Sequence, residues 1–246
     1  MKTESDISDD SPCDYLEWDS RFFGRRIARV RRGRFSPGDI GLILEWCEVE
    51  RIDCLYSLAS SDDLQSVAIA EKHGFHFVDI RVTLERPPLR PSSQPGGIVR
   101  LVRASDLEAL RQIARSGFRD SRFYYDPGFE KLRCDDLYET WIEVSCRGYA
   151  DFVLVAEDAG QPAGFVTCYA APGETGNIGL IAVDAAHQGR GLGQDLVRSA
   201  LYAFLERGMR VVTVVTQGRN IRSQRLYQKC GFVSRSVELW YHRWFT

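Results

Sequence analysis

Hydrophobic positions in the second half of the chain follow two periods, one typical of strands and one typical of helices. Residues 177–183 (NIGLIAV) and 211–216 (VVTVVT) are almost wholly apolar, as in strands that are buried on both faces. Between them, Leu192, Leu196, Ala200 and Phe204 recur every four residues. This spacing predicts a helix over residues 191–207 with one apolar face.

The same alternation of strand and helix extends over residues 98–246. A capping box from Ser105 to Glu108 predicts a helix that runs toward Phe118. Gly231 can end a second helix, which starts at Arg222. The predicted strands are residues 98–102, 151–157, 164–170, 177–183, 211–216 and 233–244, of which the last is either one long strand or a hairpin. The predicted helices are residues 105–118, 135–147, 191–207 and 222–229. We therefore predict an α/β fold in which helices flank a mixed sheet.

One change of composition divides the chain. Residues 87–97 (PPLRPSSQPGG) are rich in Pro, Ser and Gly. This composition favours a linker, because proline interrupts regular structure and glycine has no side chain to pack. The linker separates a predicted N-terminal domain, residues 13–86, from a predicted C-terminal domain, residues 98–246. Residues 1–12 are polar and acidic, which predicts a disordered tail.

A faint internal repeat relates the two parts of the chain. Residues 66–75 align without gaps to residues 223–232, with Ser, Lys, Gly and Phe at matching positions, and a predicted strand follows each copy. The first copy has Ala70 where the second has Tyr227, and no glycine-rich loop precedes it. Duplication is one explanation, and the general likeness of any helix with a glycine cap is the other. Under duplication, the N-terminal part could hold structure without chemistry.

Charge and cysteine content argue against several classes of protein. The formal net charge of -2 offers no general attraction to nucleic acid or to an anionic membrane. The seven cysteines are scattered without a CxxC pair, which argues against a disulfide framework and predicts no metal site. No apolar run has the length of a membrane span, and the polar start does not have the pattern of a signal peptide. These features favour a cytoplasmic protein with no nucleic-acid or membrane partner.

The sharpest motif is a glycine-rich loop between a predicted strand and a predicted helix, formed by Gln188, Gly189, Arg190, Gly191, Leu192 and Gly193. Glycines let the backbone approach a ligand closely, and the first N–H groups of a helix have no internal partner, so such a loop can hold a pyrophosphate. Arg190 could add positive charge. The loop has neither the Rossmann glycine order nor the Gly-Lys-Ser/Thr of a P-loop. A plain strand-to-helix turn is the alternative.

Gln-x-x-Gly-x-Gly after an apolar strand resembles the acyl-CoA pyrophosphate loop of the GNAT superfamily of N-acetyltransferases. Residues 225–232 (RLYQKCGF) resemble the superfamily's next motif, a helix that carries a tyrosine and ends in Gly-Phe. The resemblance implies acetyl-CoA as co-substrate and Tyr227 as general acid. It also implies that the cofactor is bound by the loop together with Ile181, Ala182, Val183 and Asn220.

Three further stretches resemble one group within the superfamily, the dTDP-fucosamine acetyltransferases. They are residues 16–24, residues 118–126 with Tyr138 and Trp141, and the ending Trp240 to Arg243. Members of this group join a partial, non-catalytic GNAT-like domain at the N-terminus to a complete catalytic one, which matches the faint repeat. The resemblance implies a dTDP-4-amino-deoxysugar as acceptor.

The acceptor side of the site would lie at Arg122, Tyr124 and Asp126. An arginine suits a diphosphate, and Tyr124 or Tyr125 could stack on thymine. An ordinary charged surface is the alternative for this segment.

Acetyl transfer needs a neutral amine, a polarised thioester carbonyl and an acid for the leaving thiolate. A phenol on a helix could supply the proton, with a core tyrosine as the alternative for Tyr227 and a helix N-cap as the alternative for Asn220. Cys168 and Cys230 have no visible His–acid partner, which favours direct attack in a ternary complex over an acetyl-enzyme. The base is not assigned, and Glu174 is either a candidate or a solvated loop residue.

Two other functions stay open. One is a GNAT enzyme that acts on a peptide N-terminus, a polyamine or an aminoglycoside. An extended acidic groove would favour such a cationic acceptor, whereas the arginines near residue 120 favour an anionic one. An acyl-CoA sensor without turnover would not need both the loop and Tyr227. A homodimer, formed through the N-terminal half or the last strand, is also open.

Overall fold

The computed structural model describes residues 11–31, 35–88, 98–171 and 173–245. Most of the predicted tail and most of the predicted linker lie outside these residues. The described chain forms two compact units. The first comprises the described residues of Met1–Arg81, Ser121–Glu130 and Ser236–Thr246, and the second those of Val82–Asp120 and Lys131–Arg235.

Strands and helices alternate as the hydrophobic pattern predicts, so the predicted α/β class is confirmed. In chain order, the elements are β1 (Cys13–Tyr15), α1 (Glu17–Phe23), β2 (Ile27–Val30), α2 (Asp39–Val49), β3 (Cys54–Ser60), α3 (Leu64–Lys72), β4 (His76–Arg86), β5 (Ile98–Leu101), α4 (Leu107–Gly117), α5 (Lys131–Val144), β6 (Phe152–Asp158), β7 (Gln161–Ala171), β8 (Thr175–Val183), α6 (Leu192–Glu206), β9 (Val211–Gln217), α7 (Ile221–Lys229) and β10 (Val233–Trp244). No helix in these ranges is long and apolar enough to cross a membrane.

Each unit carries a mixed arrangement of strands. In the first unit the order is β1-β2-β3-β10-β4, with β2 parallel to β3 and β10 antiparallel to β3. In the second unit the order is β4-β9-β8-β7-β6-β5, with β8 parallel to β9 and antiparallel pairs from β8 to β5. The boundary between the units passes through β4 and β10, so each of these strands contributes residues to both.

Most predicted boundaries differ from the structure by one to three residues, and the difference at α4 has a local cause. Helix α5 begins at Lys131, before the predicted residue 135. The helix predicted from Ser105 starts with a 3₁₀ turn at Ala104–Asp106, and α4 follows at Leu107. The carboxylate of Asp106 accepts a hydrogen bond from the Arg103 N–H at 2.7 Å. Asp106 therefore takes the part that the sequence assigns to the Ser105 capping box.

The two copies of the faint repeat have matching elements and matching helix-capping hydrogen bonds. Strands β3 and β9 both have seven residues and start 157 residues apart (211 minus 54), as do α3 and α7 (221 minus 64), which both have nine. Asp63 and Asn220 cap their helices by accepting a bond from the backbone of Ser66 or Ser223. The equivalent glycines after the helices, Gly74 and Gly231, have φ values of 74° and 83°. This likeness favours duplication.

The core of the first unit draws on distant parts of the chain. Tyr241 on β10 is buried in one cluster with Cys13, Ile43 and Leu55. The predicted domains, residues 13–86 and 98–246, are continuous along the chain. Each compact unit instead combines segments that are distant in the chain, because β10 pairs with β3 and the end of β4 belongs to the second unit.

Candidate active site

The second unit contains an opening between two parallel strands. The pairing of β8 with β9 runs from Thr175 and Val211 to Ile178 and Val214, where it ends. On its other side β8 stays paired with β7 as far as Val183. Residues 179–183 therefore present backbone groups that no neighbouring strand of the described chain pairs on the β9 side. The predicted cofactor residues Ile181, Ala182 and Val183 lie on this free edge.

A β-bulge lies where β8 separates from β9. Val166 pairs with Ile181 and Cys168 with Ile178, so two residues of β8 face the single residue Thr167. Thr167 compensates for the lost ladder bond, since its Oγ1 accepts the Leu180 N–H at 2.8 Å. A Cβ at Gly179 would lie 2.4 Å from the Tyr169 ring, so only glycine fits there. Bulges bend a strand, which explains why β8 diverges from β9 at this point.

The glycine-rich loop follows the free edge and opens α6. Gly189 and Gly191 have φ values of 82° and 90°, in the left-handed region that glycine adopts without strain. Gly191 is the N-cap of α6, with no side-chain cap, so the N-terminal N–H groups of this helix are available to an anion. A Cβ at Gly193 would lie 3.4 Å from Leu226, which shows how closely α6 and α7 pack.

Side chains around the loop hold its shape and set its charge. Gln188 donates from Nε2 to the Val183 carbonyl at 2.9 Å, and its Oε1 accepts from Arg222 at 2.5 Å. Arg190 is ion-paired with Asp158 at 2.6 Å. Arg222 was not predicted from the sequence. It lies in the first turn of α7, is exposed, and has no carboxylate partner among the described residues. Its position just after Asn220 is the only sequence signal for it.

Asn220 and Tyr227 are both carried by α7. The Asn220 side chain accepts the Ser223 N–H at 2.9 Å and so caps the helix. Tyr227 is 2% exposed, and its ring centroid lies 5.8 Å from that of Phe232. Burial, with a smaller contribution from Cys230, raises the pKa of Tyr227 above its ordinary value. The phenol therefore holds its proton at neutral pH, as a proton donor must.

Cys168, Cys230 and Glu174 are the other candidate nucleophiles and base in the second unit, and their surroundings do not activate them. Burial raises the pKa of Cys168 and of Cys230, so both thiols stay protonated. Glu174 is an exposed turn residue with φ of 57° and is paired with Arg210 at 2.5 Å. These contacts match the solvated loop glutamate that was the alternative to a base.

The three predicted acceptor residues lie in the first unit. The Arg122 guanidinium carbon lies 4.3 Å from the Trp240 ring centroid and 5.0 Å from that of Tyr56. Arg122 has no ion pair with any described carboxylate. Tyr124 is half-buried in the 3₁₀ turn Arg122–Tyr125.

Asp126, the third predicted acceptor residue, is 4% exposed and is fully engaged. Its Oδ2 contacts His242 Nδ1 at 2.5 Å, and its carboxylate also accepts from Trp244 Nε1 and from the Gly128 N–H. His242 was not predicted from the sequence. It alternates with Trp240 and Trp244 on β10, a pattern that reads as an aromatic core face. Only the fold brings it to Asp126.

Comparisons with known proteins agree with this geometry. The sequence model of the acetyltransferase (GNAT) family matches residues 107–232. The dTDP-fucosamine acetyltransferase of Escherichia coli O6:H1 (strain CFT073) is 29% identical over 231 residues, which cover 93% of this chain and 96% of that protein. The spore coat polysaccharide biosynthesis protein SpsD of Bacillus subtilis (strain 168) is 23% identical over 234 residues, which cover 92% of this chain and 81% of that protein.

Solved structures share the fold. A GCN5-related N-acetyltransferase from Sphaerobacter thermophilus has a TM-score of 0.67 at 18% identity, covering 94% of this chain and 76% of that one. A tandem GNAT protein from the clavulanic acid biosynthesis pathway has a TM-score of 0.62 at 16% identity, covering 90% and 76%. The family match spans more than half of the chain and contains the free edge of β8, the glycine-rich loop and Tyr227. The chain therefore belongs to the acetyltransferase (GNAT) family and is an N-acetyltransferase that uses acetyl-CoA.

Proposed function

We propose that this enzyme moves an acetyl group from acetyl-CoA to the amine of a dTDP-4-amino-deoxysugar, by direct attack in a ternary complex. The observation that carries the proposal is the match to the dTDP-fucosamine acetyltransferase, which covers almost the full length of both chains. That match includes the N-terminal part, which a minimal acetyltransferase would not need.

The second unit supplies the groups that bind acetyl-CoA. The Leu192 and Gly193 N–H groups at the start of α6 receive the pyrophosphate, because they have no acceptor among the described residues and carry the positive end of the helix dipole. Arg222 and Arg190 add positive charge beside the loop, although Asp158 partly neutralises Arg190. The free edge of β8 at residues 179–183 hydrogen-bonds the pantetheine arm and orients the thioester carbonyl.

Tyr227 is the general acid in this scheme. The amine nitrogen attacks the thioester carbon, the C–S bond breaks, and Tyr227 gives its proton to the leaving sulfur. The proton lost by the amine returns to Tyr227 through solvent. The burial that raises the pKa of the Tyr227 phenol also raises the pKa of the CoA thiol beside it. Proton transfer from the phenol to the leaving sulfur therefore remains feasible.

Direct attack is supported by the state of the cysteines. An acetyl-enzyme would need a thiolate with a lowered pKa and an adjacent base. In the second unit the pKa values of Cys168, Cys230 and the half-buried Cys146 are all raised by burial. A ternary complex needs none of these thiols.

An anionic acceptor is supported by Arg122. Its guanidinium stacks on aromatic rings and forms no ion pair with a described carboxylate, although Asp19 is near enough to interact with it electrostatically. Stacking leaves the edge of the guanidinium group free for phosphate oxygens. A cationic acceptor such as a polyamine would be repelled.

Thiol release from acetyl-CoA, measured with a panel of dTDP-amino-deoxysugars, peptides, polyamines and aminoglycosides, tests this proposal. We expect turnover with one sugar nucleotide and intersecting double-reciprocal lines, as a ternary complex requires. Turnover only with a peptide, a polyamine or an aminoglycoside would replace the acceptor class. Tight acetyl-CoA binding without turnover on any amine would favour the sensor.

Tyr227→Phe tests the acid in the same assay. We expect kcat to fall about 10²-fold or more, while the Kd for acetyl-CoA stays within a factor of about two. Tyr202→Phe is the matched control, because Tyr202 is on α6 and 40% exposed. A Tyr227→Phe variant with the wild-type kcat would contradict the assigned role.

A further inference from the structure

Five buried polar atoms of the first unit have no hydrogen-bond partner among the described residues, and three of them belong to side chains that contact one another: Tyr56 Oη, Arg122 Nε and His242 Nε2. Tyr56 and His242 are directly opposed in the β3–β10 pairing, and their rings stack with centroids 4.4 Å apart. The Arg122 guanidinium lies over the same Tyr56 ring, at 5.0 Å. We call these three side chains the polar cluster.

The surroundings of the polar cluster make its unpaired atoms costly. Phe123, Phe129 and Trp240 pack around it, and none of these rings can accept or donate a conventional hydrogen bond at that place except the Trp240 N–H. A buried polar atom without a partner loses the hydrogen bond that it makes to water in the unfolded chain, which destabilises the folded state. Such atoms in a folded protein indicate a site that water or a ligand completes.

The contact with Asp126 determines what His242 can bind. Asp126 faces Nδ1 at 2.5 Å, so the ring proton sits on Nδ1 and Nε2 is left with a lone pair. Burial, aided by the positive charge of Arg122, lowers the pKa of His242 to about 4, although the hydrogen bond that His242 donates to Asp126 acts in the opposite direction. The imidazole is neutral at physiological pH, and its Nε2 is a pure acceptor.

We propose that the polar cluster binds one hydroxyl group of the acceptor sugar, which donates to His242 Nε2 and accepts from Arg122 Nε or Tyr56 Oη. This inference rests on the proposed function, since it assigns the recognition of that acceptor. Asp126 is then a positioning residue, which fixes the tautomer of His242 and does not itself touch the sugar.

Complementarity selects a hydroxyl over the other groups of a sugar nucleotide. An ionised diphosphate or a carboxylate only accepts hydrogen bonds, so it would face the lone pair of His242 Nε2. An ammonium group only donates and would lie beside the positive charge of Arg122. A hydroxyl does both. Arg122 is half-buried whereas Tyr56 and His242 are buried, so the hydroxyl enters beside Arg122.

Matched variants test the inference. Tyr56→Phe removes only the phenol oxygen, and His242→Asn keeps an N–H for Asp126 but has no atom in place of Nε2. The control is Tyr241→Phe, because Tyr241 is next to His242 on β10, points to the opposite face and bonds Glu71 at 3.3 Å. With dTDP-4-amino-4,6-dideoxygalactose as acceptor, we expect its KM to rise about tenfold in the first two variants and not in the control.

The KM for acetyl-CoA and the Tm of the variants separate binding from folding. Both should stay near the wild-type values in Tyr56→Phe. Deoxy analogues of the sugar then identify the hydroxyl, because its removal and Tyr56→Phe should not be additive. If the KM for the acceptor stays within twofold in both cluster variants, the cluster holds structural water only and the inference is wrong.

Histidine ¹⁵N NMR of the full-length protein gives a readout that is independent of turnover. The Nε2 resonance of His242 should shift when the sugar nucleotide is added and should not shift with dTDP alone. If the enzyme acetylates a different amine, the proposed function fails and the titration is repeated with that amine. A shift would then uphold the polar cluster as the acceptor site, whereas no shift with any acetylated acceptor would overturn it.

Discussion

His242 and Asp126 link the stability of the first unit to pH. Burial lowers the pKa of His242 to about 4, with a further contribution from Arg122. Burial acts on Asp126 in the opposite sense, but hydrogen bonds from His242, Gly128 and Trp244 outweigh it and lower the pKa of this carboxyl. In the folded state His242 is therefore neutral and Asp126 is negatively charged at neutral pH. Protonation of either group is less favourable than in the unfolded chain.

We expect the free energy of unfolding to fall as pH drops from about 6.5, the ordinary pKa of histidine, to about 4. In this window the unfolded chain binds a proton on His242 and the folded chain does not, so acid favours unfolding by up to about 3 kcal/mol. Urea denaturation at several pH values checks this. His242→Asn should lose most of the dependence, and an equally acid-sensitive variant would contradict the assignment.

Candidate site residues could be recognised from the sequence where they belong to a local motif. Tyr227 and the glycines of the loop are recognisable as candidates because each belongs to a motif whose other residues are adjacent in the sequence. Arg222 and His242 were missed, since their partners Gln188 and Asp126 are 34 and 116 residues away. A residue that gains its role from such a contact carries no local signal.

At the scale of elements, helix α6 has a left-handed glycine at each end. Gly191 is the N-cap, with φ of 90°, and Gly208 follows the C-terminus, with φ of 75°. A Cβ would meet no atom within 4 Å at either position. The two glycines therefore have the same conformational role, and only Gly191 belongs to the loop that the proposal assigns to the pyrophosphate.

Alanine at these two positions separates strain from binding. We expect Gly191→Ala and Gly208→Ala to lower the free energy of unfolding by a similar amount, about 1–2 kcal/mol, because each places a Cβ in the left-handed region. Only Gly191→Ala should weaken acetyl-CoA binding, about tenfold or more, because its Cβ occupies the space before the helix N–H groups. Calorimetry measures the Kd. Equal Kd values in both variants would argue against the loop as the cradle.

The elements themselves could largely be predicted, because their periodicity and caps are local. Strand β10 spans Val233–Trp244 as predicted, and α6 lies within the predicted residues 191–207. The divergence of β8 from β9 could not be predicted. It depends on a bulge opposite Thr167, and a bulge is a property of the pairing between two strands.

At the scale of the whole molecule, each compact unit is built from segments that are far apart in the chain. Strand β10 pairs with β3 from Glu238 and Ser60 to Trp244 and Cys54, and Tyr241 fills the core of the first unit. The predicted N-terminal domain ends at residue 86 and therefore does not contain this strand. Without β10, strand β3 has an open edge and the core exposes apolar surface.

We expect a fragment of residues 11–88 not to fold by itself. Circular dichroism and the dispersion of amide NMR signals measure this. The companion fragment carries residues 236–246 after a Gly-Ser linker, and it should gain structure because it restores the partner of β3. A cooperative, native-like unfolding transition in the shorter fragment would show that β10 is dispensable to this unit.

The sequence by itself determined the α/β class, the sites of most strands and helices, the glycine-rich loop, the tyrosine helix and the internal repeat. These features depend on periodicity, caps and motifs that lie within a few residues of one another. Only the tertiary structure decided that β8 leaves β9 at Gly179, that β10 completes the first unit, and that Asp126 orients His242. Each of these depends on contacts between segments far apart in the chain, and the pattern within either segment does not encode its partner.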